Sequence, residues 1–283
     1  MQLTPRYGSD PVITLDGPPA AIAAPTIRQR RRLAAALGLF TDQQWAHPSR
    51  CEGWSNRDVL VHLDSTNVFW TTSIKAGLQG APTTFLSTVD PVASPAQLVA
   101  ASADVSVATV LERFIVSTEV LTDLLASLDG DAWSTPAESP PGHVSISALA
   151  HHALWDSWVH ERDVLLPLGI QPDEQADEIA AGLRYVAALG PALALNSGHA
   201  GTATLVIEAT DPDVSIVVRI GDRVSVGDGD AVADLRLTGS AVELVEALSI
   251  RAPLARAIPV ESAWMLGGLN TAFGNSAFDA TQG

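Results

Sequence analysis

Apolar positions along the chain keep a helical period first and an alternating one later. From Pro25, a residue suited to a helix start, Ile27, Leu33, Ala34 and Leu37 share one face before Gly38. Cys51-Glu52-Gly53-Trp54-Ser55-Asn56-Arg57-Asp58 then reads as a helix entrance: Ser55 is the natural N-cap, Asp58 sits at the third helical position, and Trp54 can pack onto Val59 one turn in. This second helix is predicted to run to about Leu78, before Gly80 and Pro82, with His62 on the side of Val59, Thr66 and Phe69. Leu98, Ala101, Val105, Ala108, Leu111 and Ile115, continued by Leu121, Leu125 and Leu128, predict one long third helix ended by Asp129-Gly130. A loop to Pro141-Gly142 leads into a fourth helix within Ser147 to Gly169, and the loops suit a bundle.

Past Gly169 a fifth helix is expected from about Asp173 to Leu189, ending near Gly190-Pro191. Short alternating runs follow at Ala203–Ala209, Val214–Ile220, Val224–Val226 and Ala233–Thr238, divided by Asp-Pro, Gly-Asp and Asp-Gly-Asp turns, and they predict an antiparallel sheet. Ser240 with Glu243 opens a helix ending around Arg251, and Ala263 to Phe273 gives a last amphipathic segment. Met1 to Ala24 holds no sustained period and reads as an arm over the surface. The expected class is α+β: an arm (1–24), a helical bundle (25–170) and a smaller α+β unit (171–283) that begins with the linking helix at about 173–189.

Composition narrows the partners. Sixteen basic against 32 acidic residues leave a charge of −16, which disfavours nucleic acid, and the cluster Arg28, Arg30, Arg31 and Arg32 is too short to reverse it. No run of about 18 apolar residues and no signal-peptide pattern is present, so the expectation is a cytoplasmic protein with no membrane partner. The one cysteine, Cys51, excludes an intrachain disulfide and a four-thiolate metal site. Four residues outside the helix cap and with no base fixed near it by the sequence, Cys51 is read as structural. Glycine-rich dinucleotide fingerprints, P-loops and nucleophile elbows are lacking.

Candidate chemistry gathers in the fourth helix, where His152, Asp156 and His160 recur at intervals of four and share one stripe with Leu149. A buried carboxylate between imidazoles needs a partner to offset its desolvation, and a divalent metal would be one. His152 and His160 stand roughly 12 Å apart along the axis, against metal–nitrogen bonds of about 2.0–2.1 Å, so the pairs open to an ion are His152 with Asp156 or Asp156 with His160. Without metal, the same stripe is an internal hydrogen-bonded His/Asp network. His62, taken alone, reads more readily as a satisfied core histidine.

The residues Gly53-Trp54-Ser55, Arg57-Asp58-Val59-Leu60 and His62-Leu63, with Trp155-Asp156-Ser157-Trp158-Val159-His160-Glu161-Arg162-Asp163-Val164, resemble the mycothiol-dependent maleylpyruvate isomerase family. Ala233-Asp234-Leu235 to Gly239 and Leu248 to Arg251 are similar to that family's smaller domain. The resemblance implies a DinB-like four-helix bundle and a sterol-carrier-like C-terminal unit. It implies a metal, zinc by ligand type, held by His62, Asp156 and His160, with His152 the fallback ligand because Asp156 stands where the family commonly has Glu. It also implies mycothiol as thiol cosubstrate, a small electrophile as substrate, and Arg251 pointed toward the cleft to receive an anionic group. Cis–trans isomerisation and thiol S-transfer both fit. Two rivals are metal-dependent hydrolysis through bound water and a non-catalytic carrier of small molecules or lipid.

Overall fold

The computed structural model describes residues 2–274 and 280–281. An N-terminal strand, β1 (Ile13–Leu15), precedes α1 (Ala23–Leu37) and the single turn α2 (Asp42–Trp45). α3 (Asn56–Leu78) begins at the capping box expected of Ser55 and Asp58: Ser55 Oγ accepts from the Asp58 N–H, and Asp58 Oδ2 accepts from the Ser55 N–H at 2.9 Å. The third helix is broken in two, α4 (Ala93–Ala101) and α5 (Val107–Ser127). Its period continues across the gap, but Ser106 caps α5 through the Thr109 N–H, and Arg57 takes the Ser102 and Val105 carbonyls as acceptors. A local cap and one tertiary cation thus outcompete helix continuation.

A hairpin of β2 (Pro136–Ser139) and β3 (Gly142–Ser145) fills the loop ahead of the next helix. α6 (Ile146–Leu165) starts where Ser145 Oγ accepts from the Ala148 N–H at 3.2 Å. α7 (Ala176–Asn196) does not stop at Gly190-Pro191 but runs through it. Its segment from Tyr185 to Ala194 is buried throughout, and that burial outweighs the roughly 3 kcal/mol penalty of an interior proline. By length and composition α7 could cross a membrane; 78% of its apolar window is buried in the protein, as in a core helix.

The strands β4 (Ala203–Thr210), β5 (Val214–Ile220), β6 (Val224–Asp228) and β7 (Leu235–Ser240) fall where alternation placed them. The sheet is mixed rather than antiparallel throughout, in the order β1-β6-β5-β4-β7: its centre is antiparallel, while β1 joins β6 and β7 joins β4 in parallel. The segment expected to lie on the surface therefore contributes an edge strand, with Ile13 fully buried. α8 (Ala241–Leu248) and α9 (Trp264–Ala272) close the C-terminal part.

One apolar cluster runs from Trp70 of α3 and Leu149 and Leu154 of α6 through Leu183 and Leu189 of α7 into Ile207, Val226 and Met265, so the core is continuous from bundle to sheet. A smaller cluster joins Leu33, Leu60, Leu63, Phe114 and Val164. Along α3 the smaller cluster ends at Leu63 and the larger resumes at Trp70; along α6 the larger ends at Val159 and the smaller begins at Val164. His160 and Asp163 lie in the gap on α6, and His62 stands beside Leu63 at the edge of the smaller cluster.

Candidate metal centre

α3 delivers His62 and α6 delivers Asp156 and His160 to one point. His62 Nε2 lies 3.7 Å and His160 Nε2 3.6 Å from Asp156 Oδ1, and the imidazoles meet edge to face with centroids 4.9 Å apart. These separations are too long for hydrogen bonds. They match the roughly 3.4 Å between neighbouring ligand atoms around a tetrahedral ion with bonds of about 2.0–2.1 Å. At this point His62 Nδ1 and Asp156 Oδ2 are buried with no hydrogen-bond partner among the described residues. Side-chain exposures of 15%, 12% and 10% leave each of the three residues slightly accessible. A carboxylate between two imidazoles, with unpaired polar atoms behind them, fits a cation better than a closed hydrogen-bond network.

Electrostatics hold two of the three groups in their ligating forms and the third, His160, protonated. Burial would raise the Asp156 carboxyl, but His62, His160 and His152 hold it well below the usual carboxylate range. Burial lowers His62, and the Asp156 charge only partly opposes it, which keeps the imidazole in its ligating form. Burial would lower His160 as well, yet Cys51, Asp163 and Asp156 outweigh it and raise His160 to about 10.

His160 joins this group to a second one. Its Nδ1 stands 3.0 Å from Asp163 Oδ2 and 3.7 Å from Cys51 Sγ, and the Cys51 thiol donates to Asp163 Oδ2 at 3.2 Å. Cys51, His160 and Asp163 thus also lie close enough to hold an ion. Their negative charge is already matched: Arg251 forks onto Asp163, Nε at 2.9 Å from Oδ1 and Nη2 at 2.9 Å from Oδ2, and Arg50 Nε lies 3.5 Å from Oδ1. With its ligand atoms paired and two guanidiniums alongside, this cluster orients His160. A carboxylate on Nδ1 turns Nε2 toward Asp156, the usual arrangement behind a metal-bound histidine.

Cys51, near which the sequence places no base, thereby lies beside His160 and Asp163, because the loop before α3 folds back on α6: the Arg50 N–H donates to the Asp163 carbonyl at 3.0 Å. The i,i+3 spacing of His160 and Asp163 was a signal for the supporting carboxylate; nothing in the sequence linked either to Cys51. α8 ends at Leu248, not at Arg251. Ile250 takes φ 56°, a strained value for a β-branched residue, and the turn it makes carries the Arg251 guanidinium to Asp163 while Nη1 keeps the carbonyl of Ser249 at the helix end. His152 stays out of the group: Tyr185 Oη is 2.6 Å from its Nδ1. Trp54 covers His62 with ring centroids 5.6 Å apart.

Residues 27–165 match the family model described as the mycothiol maleylpyruvate isomerase N-terminal domain. Among solved structures, the chain is similar to the crystal structure of a mycothiol-dependent maleylpyruvate isomerase, at 18% identity and a TM-score of 0.59 over 84% of this chain and 91% of that one. A histidine-to-alanine mutant of such an isomerase gives the same TM-score and coverage at 17% identity. A protein described as YfiT from Bacillus subtilis, a probable metal-dependent hydrolase, is 19% identical over 54% of this chain and 89% of its own, with a TM-score of 0.42. Among curated proteins, none matches it in sequence. At these identities the structural likeness is one of fold.

Proposed function

Since the chain belongs, through residues 27–165, to the mycothiol maleylpyruvate isomerase family, we propose that it is a metal-dependent enzyme that uses mycothiol to add a thiolate to a small electrophile, as a cis–trans isomerase or a thiol S-transferase. The observation that carries this reading is the convergence of His62 Nε2, Asp156 Oδ1 and His160 Nε2 with His62 Nδ1 and Asp156 Oδ2 unpaired behind them.

These three residues would hold the ion, zinc by ligand type, which when bound would lower the pKa of an incoming thiol and present it as a thiolate. The chain's own residues do the rest. Asp163 fixes the His160 ring, Trp54 shields His62, and Cys51, spent on a hydrogen bond to Asp163, leaves the nucleophile's part to an external thiol. Arg251 is assigned to the substrate's anionic group: Nε and Nη2 are engaged by Asp163, whereas Nη1 has only the Ser249 carbonyl at 3.4 Å. An arginine fork suits a carboxylate, and Arg251→Lys is expected to lower kcat/KM without loss of metal.

Metal analysis and turnover with and without mycothiol test the proposal. His62→Ala and His160→Ala should each strip the ion, and Cys51→Ser, whose hydroxyl can still donate to Asp163, should keep its activity. Full metal content in both histidine variants would remove the site. Turnover without any thiol would replace the thiolate by metal-activated water.

A further inference from the structure

His152 sits one turn before Asp156 on the stripe of α6 that carries the proposed ligands, and neither role expected of it, fallback ligand or member of a His/Asp network, accounts for its surroundings. Its ring is packed against Trp70, Trp155 and Tyr185, with centroids 4.7, 5.3 and 5.0 Å away. Tyr185 Oη stands 2.6 Å from Nδ1, and Ser139 Oγ lies 3.3 Å from Tyr185 Oη and 3.5 Å from Nδ1. Tyr185 is fully buried, and burial, reinforced by the Asp156 charge, holds its hydroxyl protonated well above the usual phenol range. A protonated phenol can donate its single O–H to Nδ1 across the short contact, with the Ser139 hydroxyl then donating to the phenol oxygen.

An imidazole that accepts at Nδ1 carries its proton on Nε2 when neutral. Neutrality follows from the site: burial lowers His152 to about 4, Asp156 opposing it while Arg30 and His62 reinforce it. Among the described residues no group accepts from Nε2, which, unlike His62 Nδ1, is not sealed inside without a partner. A protonated Nε2 cannot ligate a metal, so the same hydrogen bond that orients His152 removes it as a fallback ligand.

We propose that His152 is a hydrogen-bond donor to the substrate: the Ser139–Tyr185–His152 chain locks Nδ1 as acceptor and presents Nε2–H to the carbonyl or carboxylate oxygen of an α,β-unsaturated acid. This rests on the thiolate-addition reading above. When the thiolate sulfur bonds to the alkene carbon, the π pair moves to the carbonyl oxygen as an enolate. His152 donates a hydrogen bond to that oxygen and keeps its proton. Rotation about the former double bond and expulsion of the sulfur restore the alkene and the thiolate, with no net proton or electron transfer. Losing one such donor lowers kcat by about 10²–10³-fold in comparable sites.

Two measurements on the metal-loaded protein decide it. Long-range imidazole ¹H–¹⁵N spectra should show His152 as the Nε2–H tautomer, unchanged from about pH 5.5 to 8, and losing that fixed pattern in Tyr185→Phe. Maleate added without thiol should shift the Nε2–H resonance. With mycothiol and maleylpyruvate, His152→Leu should lose about 10²-fold in kcat with little change in KM and full metal content, and His152→Gln, which retains an N–H donor, should recover part of it. An Nδ1–H tautomer, a resonance unmoved by maleate, an undiminished kcat in His152→Leu, or loss of metal in that variant would each overturn the inference. Wild-type protein inactive on maleylpyruvate would count against the proposed function instead, and the spectra would still decide the role of His152.

Discussion

The two ring nitrogens of His160 meet different chemistry, Asp163 on Nδ1 at 3.0 Å and Asp156 facing Nε2 at 3.6 Å. In the metal-free protein, burial acts to lower this imidazole, but Cys51, Asp163 and Asp156 together keep it protonated up to about pH 10. An ion at Nε2 must displace that proton. Metal uptake at neutral pH is therefore expected to release a proton from His160, and affinity should rise roughly tenfold per pH unit until the pH nears that value. Calorimetry in buffers of different protonation enthalpy measures the release, and uptake that ignores pH between these limits contradicts it. The sign for stability is the reverse: the raised His160 favours the metal-free fold fully below the unfolded pKa of about 6.5, and that contribution is lost as the pH climbs through about 10.

At the scale of elements, α7 and α9 pack backbone against backbone. A Cβ on Gly268 would collide with the Gly190 carbonyl and the Ala194 nitrogen, whereas a Cβ on the neighbouring Gly267 would meet nothing. The pair separates packing from helix propensity on one helix. Gly268→Ala should destabilise by about 1–3 kcal/mol through overpacking, while Gly267→Ala should be neutral or stabilise by up to about 1 kcal/mol. Urea unfolding of both variants checks this; equal effects would show that the backbones do not need to touch. The same contact explains why α7 carries on through Gly190-Pro191, where the sequence pattern placed its end.

Across the whole molecule, α1, α6 and α7 are tied by buried charge. Arg32 Nη2 donates to Glu161 Oε2 at 2.9 Å and to Glu178 Oε2 at 2.7 Å, Arg28 reaches Glu178 at 2.8 Å, and Gln29 donates to Glu161 at 3.1 Å. Glu161 and Glu178 are almost wholly inaccessible. Arg32→Met leaves two buried carboxylates close together with one cation fewer, and breaking a buried pair in this way costs about 3–5 kcal/mol. A loss below about 1 kcal/mol, the range of surface pairs, would mean that solvent reaches the network. The basic cluster of the first helix, too short to reverse the charge of the chain, is in part this clamp: Arg30 is fully buried, bonded to Asn67 and the Ala153 carbonyl, while Arg28 and Arg31 are the exposed members of the four.

What the sequence by itself determined is what nearest neighbours along the chain decide. The capping box at Ser55, the α6 stripe that sets Asp156 beside His160, and the alternating runs of β4 to β7 are local patterns of period and capping, readable wherever a few consecutive residues fix the outcome. The candidate ligands were legible for that reason, helped by the resemblance in the case of His62. Only the tertiary structure decided what depends on distant segments meeting. Arg57 breaking the third helix, β1 entering the sheet, and Cys51 and Arg251 arriving at Asp163 bring together residues between about 40 and 210 positions apart. The partner of His152 belongs to the same class, since Tyr185 lies on another helix, and a side chain's tautomer is set by the group across from it in space.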